Sequence, residues 1–394
     1  MSRPSYEEEI ASDLAARTGT DAADWYLVFK ARYGMQLAFE AIRAELGEGK
    51  VATQLLTCCT AVDPILVAGL EPVYAEVSAC TASLDPEKLG DVPGLRAVVL
   101  QHTYGIVDDA SSQRLAARAH EQGAALVEDC AHGVARMVRG ADGAPLADIS
   151  VHSFGIEKML DCQFGGAVWV NPASPFSAMA ARLHAVLSVL PPLTSRLDWL
   201  TRIYLLQNRV IAHSPLSLAR WARRALPPRQ LLEPPVSDIE RRGGLQHPVF
   251  RPSASVCERA LTALRKLDAG ERLHVGAVEA YRREFADMPG VETFGAAMEG
   301  PAQPLLRFPI LVHDTATADK VTDEVCAAGF YTTAWYRPEL GPGVLDEEAY
   351  RVPKDRSGLS VCDRLVACVA NLPCDVTEEG AHTVAEVVRR VVSS

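Results

Sequence analysis

No C-x-x-C pair occurs among the ten cysteines, and only Cys58 and Cys59 are close together in sequence. That spacing argues against a zinc site or a disulfide framework; the cysteines are expected as small buried residues in a reducing cytoplasm. Long apolar runs are also missing. None reaches the roughly 18 residues of a membrane span, and the opening MSRPSYEEEIAS is polar and acidic, without the apolar core of a secretory leader. Both absences point to the cytoplasm. Positive charge is in short supply, and a net charge of −11 argues against a nucleic-acid partner, whose phosphates it would repel. The 394 residues, 48% hydrophobic and 23% charged, are ordinary globular usage and suffice for two or three domains around a large core.

The most informative stretch runs from Ala124 to Asn171. Ala124 to Glu128 is a short apolar run ending in two carboxylates, the form a parallel strand takes when it delivers a functional residue, here Asp129, at its carboxyl end. A turn rich in Gly, Asp and Pro follows at Gly140 to Pro145. A second run, Ile149 to Phe154, is followed at once by Lys158. The pair Gly165-Gly166 then leads into a third run, Ala167 to Val170. An acid at one strand end and a lysine some tens of residues later suit pyridoxal phosphate. Its aldehyde needs a lysine amine, and its ring nitrogen needs a carboxylate to stay protonated. Ser153 has a hydroxyl for the phosphate. Taken singly, Lys158 reads as a solvated lysine and Asp129 as a helix cap; the ordered set carries the cofactor reading.

Glu128-Asp129-Cys130-Ala131-His132, Ser153-Phe154-Gly155-Ile156-Glu157-Lys158 and Gly165-Gly166-Ala167-Val168 together resemble the DegT/StrS group of fold-type-I aminotransferases. The resemblance implies an α/β fold: a large pyridoxal-phosphate domain with a mainly parallel sheet, residues 1–245, and a smaller C-terminal α+β domain, 246–394. It implies a homodimer, and it places His132 beside the cofactor's ring hydroxyl. At the phosphate the family carries S/N-G-T. Gly34, after a strand at Trp25 to Lys30 and before a helix at Leu37 to Leu46, is expected there, with Met35 replacing the hydroxyl residue and backbone amides serving the anion. Cys58 falls about where the family places an aromatic that stacks on the cofactor. Val249 replaces the family's asparagine, which leaves Arg251 or His247 to compensate or phosphate binding weaker. The implied reaction moves an amino group from glutamate or glutamine to a keto-sugar, cyclitol or related keto metabolite, in sugar, cell-envelope or secondary-metabolite biosynthesis. A dehydratase or eliminase sharing Lys158 and Asp129, and a non-catalytic membrane-associated or regulatory protein on the same fold, stay as alternatives. No metal is called for.

Elsewhere the chain predicts a helix at Tyr6 to Arg17 capped by Ser5. Strands follow at Val51 to Leu56, Pro72 to Val77 and Ala97 to His102, the last placing His102 and Tyr104 at a strand end. Helices are expected at Ala254 to Leu267 and Glu271 to Ala286, and strand-like segments at Leu305 to Val312 and Tyr331 to Tyr336. Residues 191–229 are the exception in charge: seven arginines against one acid, Asp198, interleaved with Trp199, Tyr204, Trp221 and leucines. The preferred reading is a helical insertion packed on its own domain or across a dimer. The other is a basic amphipathic pair making peripheral contact with an anionic membrane.

Overall fold

A computed structural model describes residues 5–393. Seven strands, β1 (Trp25–Val28), β2 (Lys50–Thr53), β3 (Glu71–Tyr74), β4 (Leu95–Gln101), β5 (Ala125–Cys130), β6 (Ile149–Ser153) and β7 (Gly166–Val170), form one sheet in the order β1-β7-β6-β5-β4-β2-β3. From β3 to β6 every pairing is parallel; β7 runs antiparallel to both β6 and β1. The central strands β5 and β6 are buried along their whole length, which is why they read as continuous apolar runs rather than as alternation. The chain steps outward from β2 to β3, then returns to the other side of β2 for β4. A crevice therefore opens between the carboxyl ends of β2 and β4, where open α/β sheets receive ligands.

Helix α1 (Tyr6–Thr18) starts as expected: the Glu8 amide donates to Ser5 Oγ, and Glu8 Oε2 accepts from the Ser5 amide at 2.7 Å. Helix α2 (Ala31–Leu46) begins six residues ahead of its predicted start, directly after Lys30. Gly34 is thus inside the helix. A Cβ there would lie 2.5 Å from Val168 Cγ2, so the glycine lets α2 settle on the sheet. Helices α3 (Cys59–Val67), α4 (Asp109–Glu121) and α5 (Ser177–Leu187) complete the layers.

Residues 191–229 form two helices, α6 (Ser195–Ala212) and α7 (Leu216–Ala225). At the base of this hairpin Arg196 donates to the carbonyls of Arg229 and Gln230 at 2.6 and 2.8 Å. Helix α8 (Ala254–Leu264), which follows the boundary expected at 245, packs against α1 and shares a core with Trp25, Trp169 and Phe154. The second core gathers from α9 (Leu267–Phe285) onward, around an antiparallel sheet of β8 (Glu292–Thr293), β9 (Arg307–Leu311) and β10 (Val369–Pro373) in the order β10-β9-β8. Leu55, Leu56, Val62 and Tyr104 of the large domain join that core. Tyr331 to Tyr336 is irregular rather than a strand.

Candidate active site

A cavity of about 630 Å³ opens at the carboxyl edge of the large sheet. The register sets Gln101 of β4 and Val151 of β6 level with Asp129 of β5, so the residues after each strand converge. Gln101, His102, Asp129, Ala131, His132, Ser153 and Lys158 line one wall; the start of α2, Lys30 to Arg32 with Met35, lines a second. Thr333 to Pro338 of the small domain face them, and Tyr204 of α6 with Glu233 to Val236 closes the remainder. Lys158, Asp129, His132, Ser153 and Met35 are therefore brought together. Gly34 is not on the wall, because its Cα faces Val168.

Lys158 sits in the loop between β6 and β7. That loop closes on Gly165, at φ 110°, and on Gly166, where a Cβ would lie 2.8 Å from both Ala31 N and His152 O. Only glycine fits there. The Lys158 amine makes no hydrogen bond or ion pair among the described residues and lies 5.1 Å from the Trp335 ring centroid. Burial lowers its pKa, opposed by Cys58, Asp129 and Glu157. Asp129 Oδ1 accepts from the Ala131 amide at 2.9 Å; burial raises its pKa, with that amide and Lys158 pulling the other way.

His132 is held on both nitrogens. Its Nδ1 accepts from the Tyr104 amide at 2.9 Å, and its Nε2 meets the Tyr336 hydroxyl at 3.0 Å. Burial, then Lys158 and Arg307, hold it well below the ordinary histidine pKa. With Nδ1 accepting, the neutral ring carries its proton on Nε2 and donates it to Tyr336. The ring stacks on Trp335 at 5.2 Å and 15°. Behind this wall His102 Nε2 bonds Glu128 Oε1 at 2.8 Å, and Glu128 also accepts from Ser150 and from the Val138 amide. His102, Glu128 and Cys130 could approach one ion, but all three are buried and Glu128 already accepts from three donors.

The start of α2 has no side-chain cap and opens onto the cavity, which leaves an anion-attracting helix end unfilled by the protein itself. Its flanking charges are paired: Lys30 Nζ with Glu233 at 2.5 Å, Arg32 with Glu240 at 2.5 Å. His247 is turned to Glu233 at 3.0 Å, while Arg251 borders a separate surface recess with Glu7, Asp198 and Arg202. Neither lies on the cavity wall of its own chain. Trp335, Tyr336, Arg32 and Glu233 were absent from the sequence-based site. Tyr336 lies 204 positions from His132 and Glu233 lies 203 from Lys30, separations at which no local pattern connects them.

A mainly parallel sheet presenting a lysine and a carboxylate at its carboxyl edge, roofed by a smaller α+β unit, has the architecture that fold-type-I transferases share. Residues 12–185 match the DegT/DnrJ/EryC1/StrS aminotransferase family, a similarity that spans less than half of the chain. Among curated relatives, the L-glutamine:scyllo-inosose aminotransferase of Streptomyces griseus is 29% identical over 173 residues, 43% of this chain and 40% of that one. The GDP-perosamine synthase of Vibrio cholerae is 27% identical over 168 residues, 42% of this chain and 43% of that one. The match thus spans less than half of either relative. Among solved structures, a putative sugar aminotransferase of Streptococcus pneumoniae in its PMP form superposes with a TM-score of 0.71 over 100% of this chain and 93% of that one, at 15% identity. That likeness shows the fold.

Proposed function

We propose that this chain is a pyridoxal-phosphate-dependent aminotransferase that passes an amino group from glutamate or glutamine to a keto-sugar, cyclitol or related keto metabolite. The observation that carries the reading is the Lys158 amine, free of hydrogen-bond partners and depressed in pKa by burial, in the same cavity as the buried Asp129. The residues fit the cofactor. Lys158 would hold its aldehyde carbon, Asp129 its ring nitrogen, His132 its ring hydroxyl, and Ser153 with the uncapped start of α2 its phosphate. When bound, the group supplies an electron sink for charge developing on the substrate carbon.

The protein's own contribution is to place and move protons. A lysine with a lowered pKa spends more of its time as the neutral amine, the form that attacks a carbonyl and accepts a proton. Asp129 keeps a carboxylate where a ring proton needs a partner. His132, neutral and clamped between Tyr104 and Tyr336, offers the site a fixed hydrogen-bonding face rather than a titrating one. Trp335 and Tyr336 cover the cavity from the small domain and limit water there. All ten cysteines are unpaired, which supports work in the cytoplasm, and a homodimer follows from the same reading. Amino donors tested one at a time against a panel of ketoses and inososes, with product amine read by mass spectrometry, would identify the pair of substrates. Amine formation lost in Lys158→Ala supports transamination; loss of water from the substrate without amine formation favours elimination.

A further inference from the structure

The α6–α7 hairpin departs from the rest of the surface. Eight of the fifteen large apolar residues exposed on the described chain lie between Trp199 and Leu231. On α6 they fall in register: Trp199, Leu206 and Val210 repeat at i, i+7 and i+11, within about 40° of one another at 100° per residue. Trp199 is 52% exposed and Leu206 63%. On α7 Leu218 and Trp221, 59% exposed, occupy the side opposite Arg220 and Arg223. Arg209, Arg220, Arg223 and Arg224 make no ion pair among the described residues, whereas Arg202 pairs with Asp198.

We infer that this hairpin docks on an anionic lipid bilayer surface. Residues 191–229 carry net +6 in a chain of net −11, so a negatively charged plane selects this face over any other. The interleaving of charge and apolar surface favours lipid over a second copy of the chain. A protein interface over Trp199 and Trp221 would also cover Arg209 and Arg224, which flank those faces at 100° per residue, and would have to match each with an acid to escape a desolvation cost, whereas a bilayer presents phosphates across the whole plane. At a bilayer the rings enter the interface while the guanidinium groups stay among phosphates and water. TM-type insertion is not involved: no helix of the described residues is long and apolar enough to cross a membrane. Tyr204 of the same helix lines the cavity, so docking sets the cavity beside the lipid headgroups.

The test is cosedimentation of the full-length purified protein with vesicles of phosphatidylcholine alone and with phosphatidylserine added to about a third of the lipid. The wild type is expected to sediment with the anionic vesicles only and to be released by salt. Trp199→Ser with Trp221→Ser, and separately Arg209, Arg220, Arg223 and Arg224→Ser together, are expected to lose at least about tenfold in partitioning, with circular dichroism unchanged. Equal sedimentation of variants and wild type overturns the inference, as does a wild type that ignores anionic vesicles. If the same substitutions instead turn a dimer into a monomer by light scattering, the face belongs to a second copy and the lipid assignment is wrong. The readout needs neither cofactor nor substrate, so it stands or falls apart from the aminotransferase reading.

Discussion

At the strand ends Glu128 is buried and takes hydrogen bonds from His102, Ser150 and the Val138 amide; on the hairpin, Arg209, Arg220, Arg223 and Arg224 stand exposed on helices that also expose tryptophans. Both regions border the same cavity. In the first, burial and the residues around each group set its protonation: Lys158 is lowered by burial, His132 is kept neutral, and Glu128 is held low despite its burial by His102 and Ser150. In the second, Arg209, Arg220, Arg223 and Arg224 make no ion pair among the described residues, and Trp199 and Trp221 stay exposed. The contrast teaches that the first region sets its charges with its own residues, whereas the hairpin exposes charge and apolar area side by side.

If the contrast is real, substitutions in the two regions should differ in kind. Lys158→Ala should cut amine transfer by at least about 1,000-fold, measured as product amine, whereas the quadruple arginine variant of the hairpin should leave transfer to a water-soluble acceptor within about twofold. A hairpin variant as damaged as Lys158→Ala would erase the distinction.

Glu233 sharpens the comparison, because it lies where the hairpin returns to the cavity. Burial works against its charge, but Lys30 and His247 hold its pKa down at about 2. A depressed folded-state pKa gives stability that is present above the ordinary carboxylate value and lost as pH falls toward the folded one. The window is therefore roughly pH 4.5 down to 2, with a contribution of about 3 kcal/mol. Glu233→Gln should remove about that much stability at pH 7, leave Lys30 buried without its partner, and flatten the acid limb of stability in urea titrations. Unchanged acid sensitivity would mean the pair does not organise this wall.

Smaller effects follow from packing. Gly34→Ala should cost about 1–3 kcal/mol in chemical denaturation, since its Cβ would press on Val168, and Val168→Ala should restore part of it. Trp199→Ser, by contrast, should shift folding stability by no more than about 0.5 kcal/mol. A large loss there would show that the hairpin tryptophan is part of the fold and not a free surface.

The strand-end region was readable in the sequence because parallel strands buried on both faces leave unbroken apolar runs, and Asp129, Ser153 and Lys158 stand where those runs stop. Ser5 and Glu8 likewise announced α1 through a reciprocal cap that is local by nature. Gly34 has an equally physical explanation: a glycine that admits a neighbouring strand looks in sequence like one that makes a turn, so the sequence predicts a late start for α2, whereas the helix begins at Ala31 and sets Ala31, Arg32 and Met35, not Gly34, on the cavity wall. The small-domain wall left no trace. Trp335 and Tyr336 lie in an irregular segment with no periodicity, and their contacts with Lys158 and His132 exist only once the two domains close on each other.

The central claim is that Lys158 is the residue that holds the cofactor. The most direct test incubates the purified protein with pyridoxal phosphate, reduces it with borohydride and maps the label by peptide mass spectrometry. The account predicts near-stoichiometric pyridoxyl modification of Lys158 and its loss when glutamate or glutamine is added before reduction. Label on another lysine, or none at any cofactor concentration, would contradict it.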